Sequence, residues 1–381
     1  MPFTIEPIVP TSLQSGVDFG AIINDLDLEK LTDDDYKQLE NAVYTYQVVV
    51  VRNQGHISPQ TQYELTRRFD PSCHTYGHGK QSRAKQSVIS RDISPLPDVP
   101  QVQLLGNGVV RNYQNIDERH LHHPDHRTFH HTPLTEEDIA NNKTRFYRWH
   151  MDAALYELEL PKVTTLFCVQ NPEPRRQTVH YDDGSGHTLD VQLGTTAFIS
   201  GQKAFELLST EMKDLAFRTQ AKYAPHPYLW MSKAKSRSNG LGMVTEGKEL
   251  SPEELPPIQE EHIKTYPLLW KNPVTKKVHL QLHPAAVQDL IIDGKPVGDL
   301  FQVREIIYKL QRPAINPENI YAHEWKNGDM VIFHNRGVLH SVVGSLNDND
   351  KRIFHQCNIA SGEGPLPATE EDLAPYLATG A

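Results

Sequence analysis

The chain has 381 residues and a formal net charge of −10, which argues against a general affinity for nucleic acid or acidic membranes. No apolar stretch approaches the roughly 20 residues that a membrane helix needs. Cys73, Cys168 and Cys357 form an odd set without Cys-X-X-Cys spacing, which suits free thiols in a reducing compartment and excludes a disulfide framework or structural zinc. The opening MPFTIEPIVP lacks the basic-then-apolar order of a secretory signal, so a cytoplasmic protein is expected.

In chain order, residues 31–45 carry Thr32, an acidic run and then apolar positions at helical spacing, which predicts a helix. Val48 to Val51 are short and β-branched enough for a buried strand. Ser58 and Pro59 open a second helix, with Ser as N-cap and Pro at its first position, running to Phe69. From about 85 to 140 the chain is rich in Pro, His, Asn and Asp and reads as long loops with brief strands such as Val102 to Leu105. Strands are expected at 144–150, 163–170, 177–182 and 195–200, with Asp183-Gly184-Ser185-Gly186 as a hairpin turn. A helix is expected at 203–219, then a Pro- and Lys-rich surface insertion at about 224–262. Strand character returns at 278–283, 330–334, 338–343 and 352–359, with a helix at 303–310. No linker divides the chain, so residues 1–381 are read as one domain with a loose tail from about 363.

Trp149-His150-Met151-Asp152 and Asn335-Arg336-Gly337-Val338-Leu339-His340 carry the chemistry. In a strand, His150 and Asp152 would point the same way. With His340 they would form two imidazoles and one carboxylate on one face of a metal, the facial triad of non-haem Fe(II) oxygenases. A structural His–Asp pair with a separate core histidine is the bland alternative. Against it stand Arg352, twelve positions after His340, and Thr178, 28 positions after His150. A 2-oxoglutarate bound to iron through its C1 carboxylate and C2 ketone needs a cation and a hydroxyl for its C5 carboxylate, and the planar fork of arginine suits that role. Zinc accepts the same three ligands, so a zinc hydrolase is a second reading, but a hydrolase has no use for a dicarboxylate anchor. The six histidines between His120 and His131 are irregularly spaced and read as a solvated loop, with His122 and His130 as possible exceptions over a pocket.

The chain resembles the taurine/phenoxyacetate dioxygenase superfamily of Fe(II)/2-oxoglutarate enzymes, and within it the fungal xanthine dioxygenases. The resemblance rests on TRFYRWHMDAALY at 144–156, RRQTVHYDDGSG at 175–186, FHNRGVLHSVVG at 333–344 and QCNIASGEG at 356–364, with shorter matches such as YGHGK at 76–80 and HPDHRTFH at 123–130. It implies a mainly β fold with flanking helices around a double-stranded β-helix (jelly-roll) core. It also implies Fe(II) as cofactor, held by His150, Asp152 and His340, with O₂ and 2-oxoglutarate as co-substrates and Thr178 and Arg352 as the 2-oxoglutarate anchors. The expected partner is a small-molecule substrate, best matched by xanthine oxidised to uric acid, with an amino acid or another secondary-metabolite precursor as the alternative. Purine contacts would fall on Gln101, Gln103, Glu137, Asp138 and Asn358, because buried polar groups of a flat heterocycle must be paired. The family's lysine is replaced here by His122, which removes a full counter-charge. The sequence leaves the oligomeric state open.

Overall fold

A computed structural model describes residues 3–78, 93–123 and 126–377. Gly79, Lys80, Pro124 and part of the expected loop at 85–140 lie outside the described residues. The fold is mainly β, and the four-valine strand lies inside its largest sheet. Val48–Val51 is buried at every residue and pairs parallel with Ala21–Asn24 and antiparallel with Met330–His334. The sheet continues through Val163–Gln170, Arg352–Asn358 and Val102–Tyr113 to Ile93–Pro95. Alternation of side chains gives each strand two faces. Val49, Val51, Phe167 and Ile332 pack beneath Leu39 and Val43 of the helix Asp33–Tyr46 and Leu65 of the helix Pro59–Arg68. Val48, Val50, Leu166, Phe333 and Phe354 face the other way, onto Phe198 and Val338. Those two residues belong to a three-stranded sheet of Tyr321–His323, Thr196–Ser200 and Val338–Val342. Among the described residues, no helix is long and apolar enough to cross a membrane.

Local chemistry sets the element boundaries. The first helix starts at a capping box, in which Thr32 accepts from the Asp35 N–H and the Asp35 carboxylate accepts from the Thr32 N–H. The second has Ser58 accepting from the Thr61 N–H, with Pro at the first position. The helix expected at 203–219 is two helices, Gly201–Glu206 and Thr210–Phe217, because the Ser209 hydroxyl caps a new start at the Met212 N–H. The hairpin expected around Gly184 forms, pairing Arg176–His180 with Thr188–Gln192.

Four expectations are corrected. The region read as long loops contains a hairpin of Val102–Tyr113 and Ile116–Leu121, turned by Gln114 and Asn115 at φ 48° and 59°. The segment 144–150 is not a continuous strand. It pairs at Lys143–Thr144 and then only through single bridges, Phe146 to Val343 and His150 to His340. The insertion at 224–262 is partly core, since Pro227, Tyr228, Leu229 and Trp230 are all buried. The tail is packed as far as it is described, to Leu377. Arg336 donates to the carbonyls of Glu363 and Gly364, Leu373 is buried, and Tyr376 packs edge-on against Phe205.

One glycine is required by close approach. Gly106 has φ +140°, and a Cβ there would fall 1.7 Å from the Arg352 carbonyl oxygen. Gly106→Ala should cost at least roughly 1–3 kcal/mol in urea unfolding, the usual cost of a disallowed backbone conformation, with the steric clash added. An unchanged midpoint would contradict the contact.

Burial pushes the imidazoles of His279 and His355 down to about 4. A histidine with a lowered folded pKa binds fewer protons folded than unfolded, so its stabilisation is complete above its unfolded pKa of about 6.5 and declines below it. Stability of the metal-free protein should fall by about 1.4 kcal/mol per pH unit per buried neutral histidine as the pH drops from about 6.5 toward about 4. Urea midpoints taken across that window check this, and a flat profile would contradict neutral burial.

Candidate active site

His150 and His340 meet because their backbones exchange two hydrogen bonds, His150 N to His340 O at 3.0 Å and His340 N to His150 O at 2.8 Å. Asn335 then clasps the turn that follows His150. Its Oδ1 accepts from the Asp152 N–H at 2.8 Å, and its Nδ2 donates to the carbonyls of Asp152 at 2.7 Å and Pro161 at 3.0 Å. Two polar motifs far apart in sequence are thereby held as one unit.

The three side chains converge. Asp152 Oδ1 lies 3.9 Å from His150 Nε2 and 3.8 Å from His340 Nε2, and the three ligand atoms lie within 4.8 Å of one another. These separations are too long for hydrogen bonds and leave room for an ion that the three atoms would hold in common. His150 Nδ1 donates to the Arg148 carbonyl at 2.9 Å, which fixes the tautomer that leaves Nε2 a lone pair. Asp152 Oδ2 accepts from Thr164 Oγ1 at 2.8 Å and Gln356 Nε2 at 3.0 Å, leaving Oδ1 for a metal. Burial holds His340 at about 3, and burial together with the neighbouring His340 holds His150 well below its ordinary range. Both are therefore neutral imidazoles at physiological pH. Among the described residues, no other group of three or more His, Cys, Asp or Glu is arranged to hold a metal. The donor set fits Fe(II).

The triad opens on a cavity of about 120 Å³, also lined by Tyr76, His78, Arg148, Thr196, Tyr228, Arg352 and Gln356. Arg352 is 1% exposed, donates from Nε to the Gly194 carbonyl at 3.3 Å and stacks 3.8 Å over the Phe354 ring. Burial lowers its pKa to about 10, and no carboxylate pairs with it among the described residues. It is a buried cation facing a cavity without a counter-ion, which suits an anionic ligand.

Several expected residues lie elsewhere. Thr178 stands on the hairpin strand Arg176–His180, half-exposed, donating to Asp190 Oδ1 at 2.7 Å, and does not line the cavity. The threonine that does is Thr196, on the strand leaving that hairpin. Counting 28 positions from His150 could not reveal that Thr178 falls on the outward face of a hairpin whose other face, Val179, Leu189 and Val191, is buried in the core. Glu137 and Asp138 sit on the short helix Glu136–Ala140. Glu137 is exposed, while Asp138 closes the capping box of that helix by accepting from the Thr135 N–H and pairs with Lys143 at 2.6 Å. Gln103 is buried beside the site, but its Nε2 donates to the Pro100 carbonyl at 2.6 Å, and Gln101 lies in the turn before that strand. Neither glutamine lines the cavity as the described residues form it. His122 does, as an exposed residue of the lining, whereas His130 is buried and bonds the Phe146 carbonyl. Asn358 is fully buried next to Tyr76 and does not line the cavity, and its Oδ1 lies where a Cβ on Gly77 would be 2.9 Å away. Sequence reading missed Gln356. The signal was there, since Arg352, Phe354, Gln356 and Asn358 alternate onto one face of a strand.

Thr164→Val removes one of two donors to Asp152 Oδ2 while keeping the shape of the side chain. Partners of a metal-binding carboxylate typically change affinity about 10–100-fold. Competition of the variant against a chelator should show Fe(II) affinity about tenfold weaker, and an unchanged affinity would remove Thr164 from the support of the site.

Residues 4–358 match the model of the family described as "Taurine catabolism dioxygenase TauD, TfdA family". The alpha-ketoglutarate-dependent xanthine dioxygenase xanA of Emericella nidulans is 54% identical over 368 residues, covering 96% of this chain and 99% of that protein. The Neurospora crassa counterpart, xan-1, is 51% identical over 380 residues, covering 97% of this chain and 90% of the relative. Among solved structures, the crystal structure of AAD-2 in complex with Mn(II) and N-oxalylglycine aligns with a TM-score of 0.55 at 17% identity, across 95% of this chain and 99% of the other, a likeness of fold. The chain belongs to the TauD/TfdA dioxygenase family.

Proposed function

We propose that this protein is a cytoplasmic Fe(II)/2-oxoglutarate-dependent dioxygenase with a double-stranded β-helix core that hydroxylates xanthine at C8 to uric acid. The observation that carries the substrate is the identity of 54% and 51%, over nearly the whole chain, to two proteins named xanthine dioxygenases. His150, Asp152 and His340 hold the metal. When bound, the iron supplies O₂ activation and the two-electron oxidation that accompanies decarboxylation of 2-oxoglutarate to succinate and CO₂.

The chain's own residues bind and orient. Arg352 pairs with the C5 carboxylate of 2-oxoglutarate. Thr196 takes the role expected of Thr178. Its Oγ1 accepts from Trp325 Nε1 at 3.1 Å, so its own hydrogen is available to that carboxylate. Gln356 lines the cavity and ties Asp152 to its wall, while Asn358 stands behind that wall beside Tyr76. Glu137 and Asp138 have no part in this reading, because they stand on a surface helix. The zinc-hydrolase reading leaves the buried, unpaired Arg352 without a purpose.

The test is CO₂ and uric acid release with Fe(II), 2-oxoglutarate and O₂, with and without xanthine. Xanthine should stimulate decarboxylation and yield uric acid in step with succinate, and equal rates in both samples would retire the purine reading. Arg352→Ala should raise the apparent KM for 2-oxoglutarate about tenfold or more, given about 1.5–3 kcal/mol for a charge-assisted contact. Thr196→Val should raise it severalfold and Thr178→Val should not; the reverse order would return the role to Thr178.

A further inference from the structure

Arg148 is a second buried cation in the cavity, and it has no counter-ion. It is 7% exposed and lines the same cavity as Arg352 and the triad. Among the described residues no carboxylate pairs with it. Its Nε has no partner, and its Nη1 meets only the Met231 sulfur at 3.9 Å. The guanidinium lies among three aromatic rings, with Cζ 5.5 Å from Phe129, 5.6 Å from Tyr147 and 5.8 Å from Tyr228. Ring faces stabilise the charge but leave most of its five N–H donors unused. Donors buried without acceptors are costly unless a ligand supplies them.

Charge counting says what that ligand is. Two guanidiniums and a single carboxylate are the charged groups among the cavity's described lining residues. A divalent metal adds two positive charges and 2-oxoglutarate removes two, so the loaded site keeps one unmatched positive charge. The position is also separate from the anchor for 2-oxoglutarate. Arg352 extends from the sheet strand Arg352–Asn358, whereas Arg148 precedes His150 on the bridged segment and lies against Tyr228 of the helix Pro227–Trp230.

We infer that Arg148 is a substrate-specificity residue that binds the organic substrate as a monoanion, its planar fork meeting a carbonyl oxygen and an adjacent deprotonated ring nitrogen of a flat heterocycle. This rests on the xanthine reading, since xanthine carries acidic N–H groups next to carbonyls. It also places the counter-charge in the interior of the pocket and not at exposed His122, where the sequence resemblance had put a lysine.

The test is anaerobic titration of xanthine into the Fe(II)- and 2-oxoglutarate-loaded protein, followed by calorimetry and by the visible band of the iron–2-oxoglutarate complex. Arg148→Gln should raise the Kd for xanthine at least about tenfold, the usual loss for a charge-assisted contact. Arg148→Lys, which keeps the charge but not the fork, should recover part of it. Persistence of the visible band in a variant shows that its metal site is assembled. If both variants lose the band, Arg148 is structural and the assignment is overturned. Binding by the wild type that Arg148→Gln leaves within about twofold overturns the assignment of Arg148 alone. No binding by the wild type overturns the xanthine reading and this inference with it.

Discussion

The two reciprocal backbone hydrogen bonds between His150 and His340 are the constraint on which the rest of the site depends. They join a segment with little regular strand to the smaller sheet at one point, so the two imidazoles start from fixed backbones. Asn335 extends that fixation to Asp152 by pairing with both the N–H and the C=O of the aspartate. Every further orienting contact acts on atoms already placed. The Arg148 carbonyl selects the His150 tautomer, and Thr164 and Gln356 occupy one carboxylate oxygen so that the other faces the histidines.

The cavity beside the triad is electrostatically incomplete. Most buried arginines here pair with a carboxylate or donate to several backbone carbonyls. Arg304 pairs with Glu246 and Glu249, Arg145 with Asp182, and Arg336 donates to three backbone carbonyls. Arg148 and Arg352 do neither, and both line the cavity. Burying charge without partners opposes stability, so such groups persist where a ligand completes them. The positive balance suits anionic ligands.

How much of this was legible in the sequence differs by element. The helices Asp33–Tyr46 and Pro59–Arg68 were readable because their starts use side-chain caps, which are local chemistry. Val48–Val51 was readable because a strand buried on both faces is apolar throughout. The hairpin of Val102–Tyr113 and Ile116–Leu121 was not, because its polar residues and φ-positive turn resemble a loop. The tail was read as loose because its Pro and Glu content is that of a surface, yet Arg336 and Leu373 bind it to the core through contacts that only tertiary structure creates. In the site, His150, Asp152 and His340 stood out as a spaced motif and do come together. Thr178 stands off the cavity, because sequence distance does not say which face of a hairpin turns outward. Arg148 went unremarked because nothing local distinguishes a buried, unpaired arginine from a paired one.

The most direct measurement is the visible spectrum of the protein on anaerobic addition of Fe(II) and 2-oxoglutarate. A metal held by His150, Asp152 and His340, with 2-oxoglutarate chelating it and anchored at Arg352, should give a weak metal-to-ligand charge-transfer band that needs both additions. The band should be lost when Asp152 is replaced by Ala in protein that still folds. A wild-type spectrum without the band, or a band that survives the loss of Asp152, would contradict the assignment of this site.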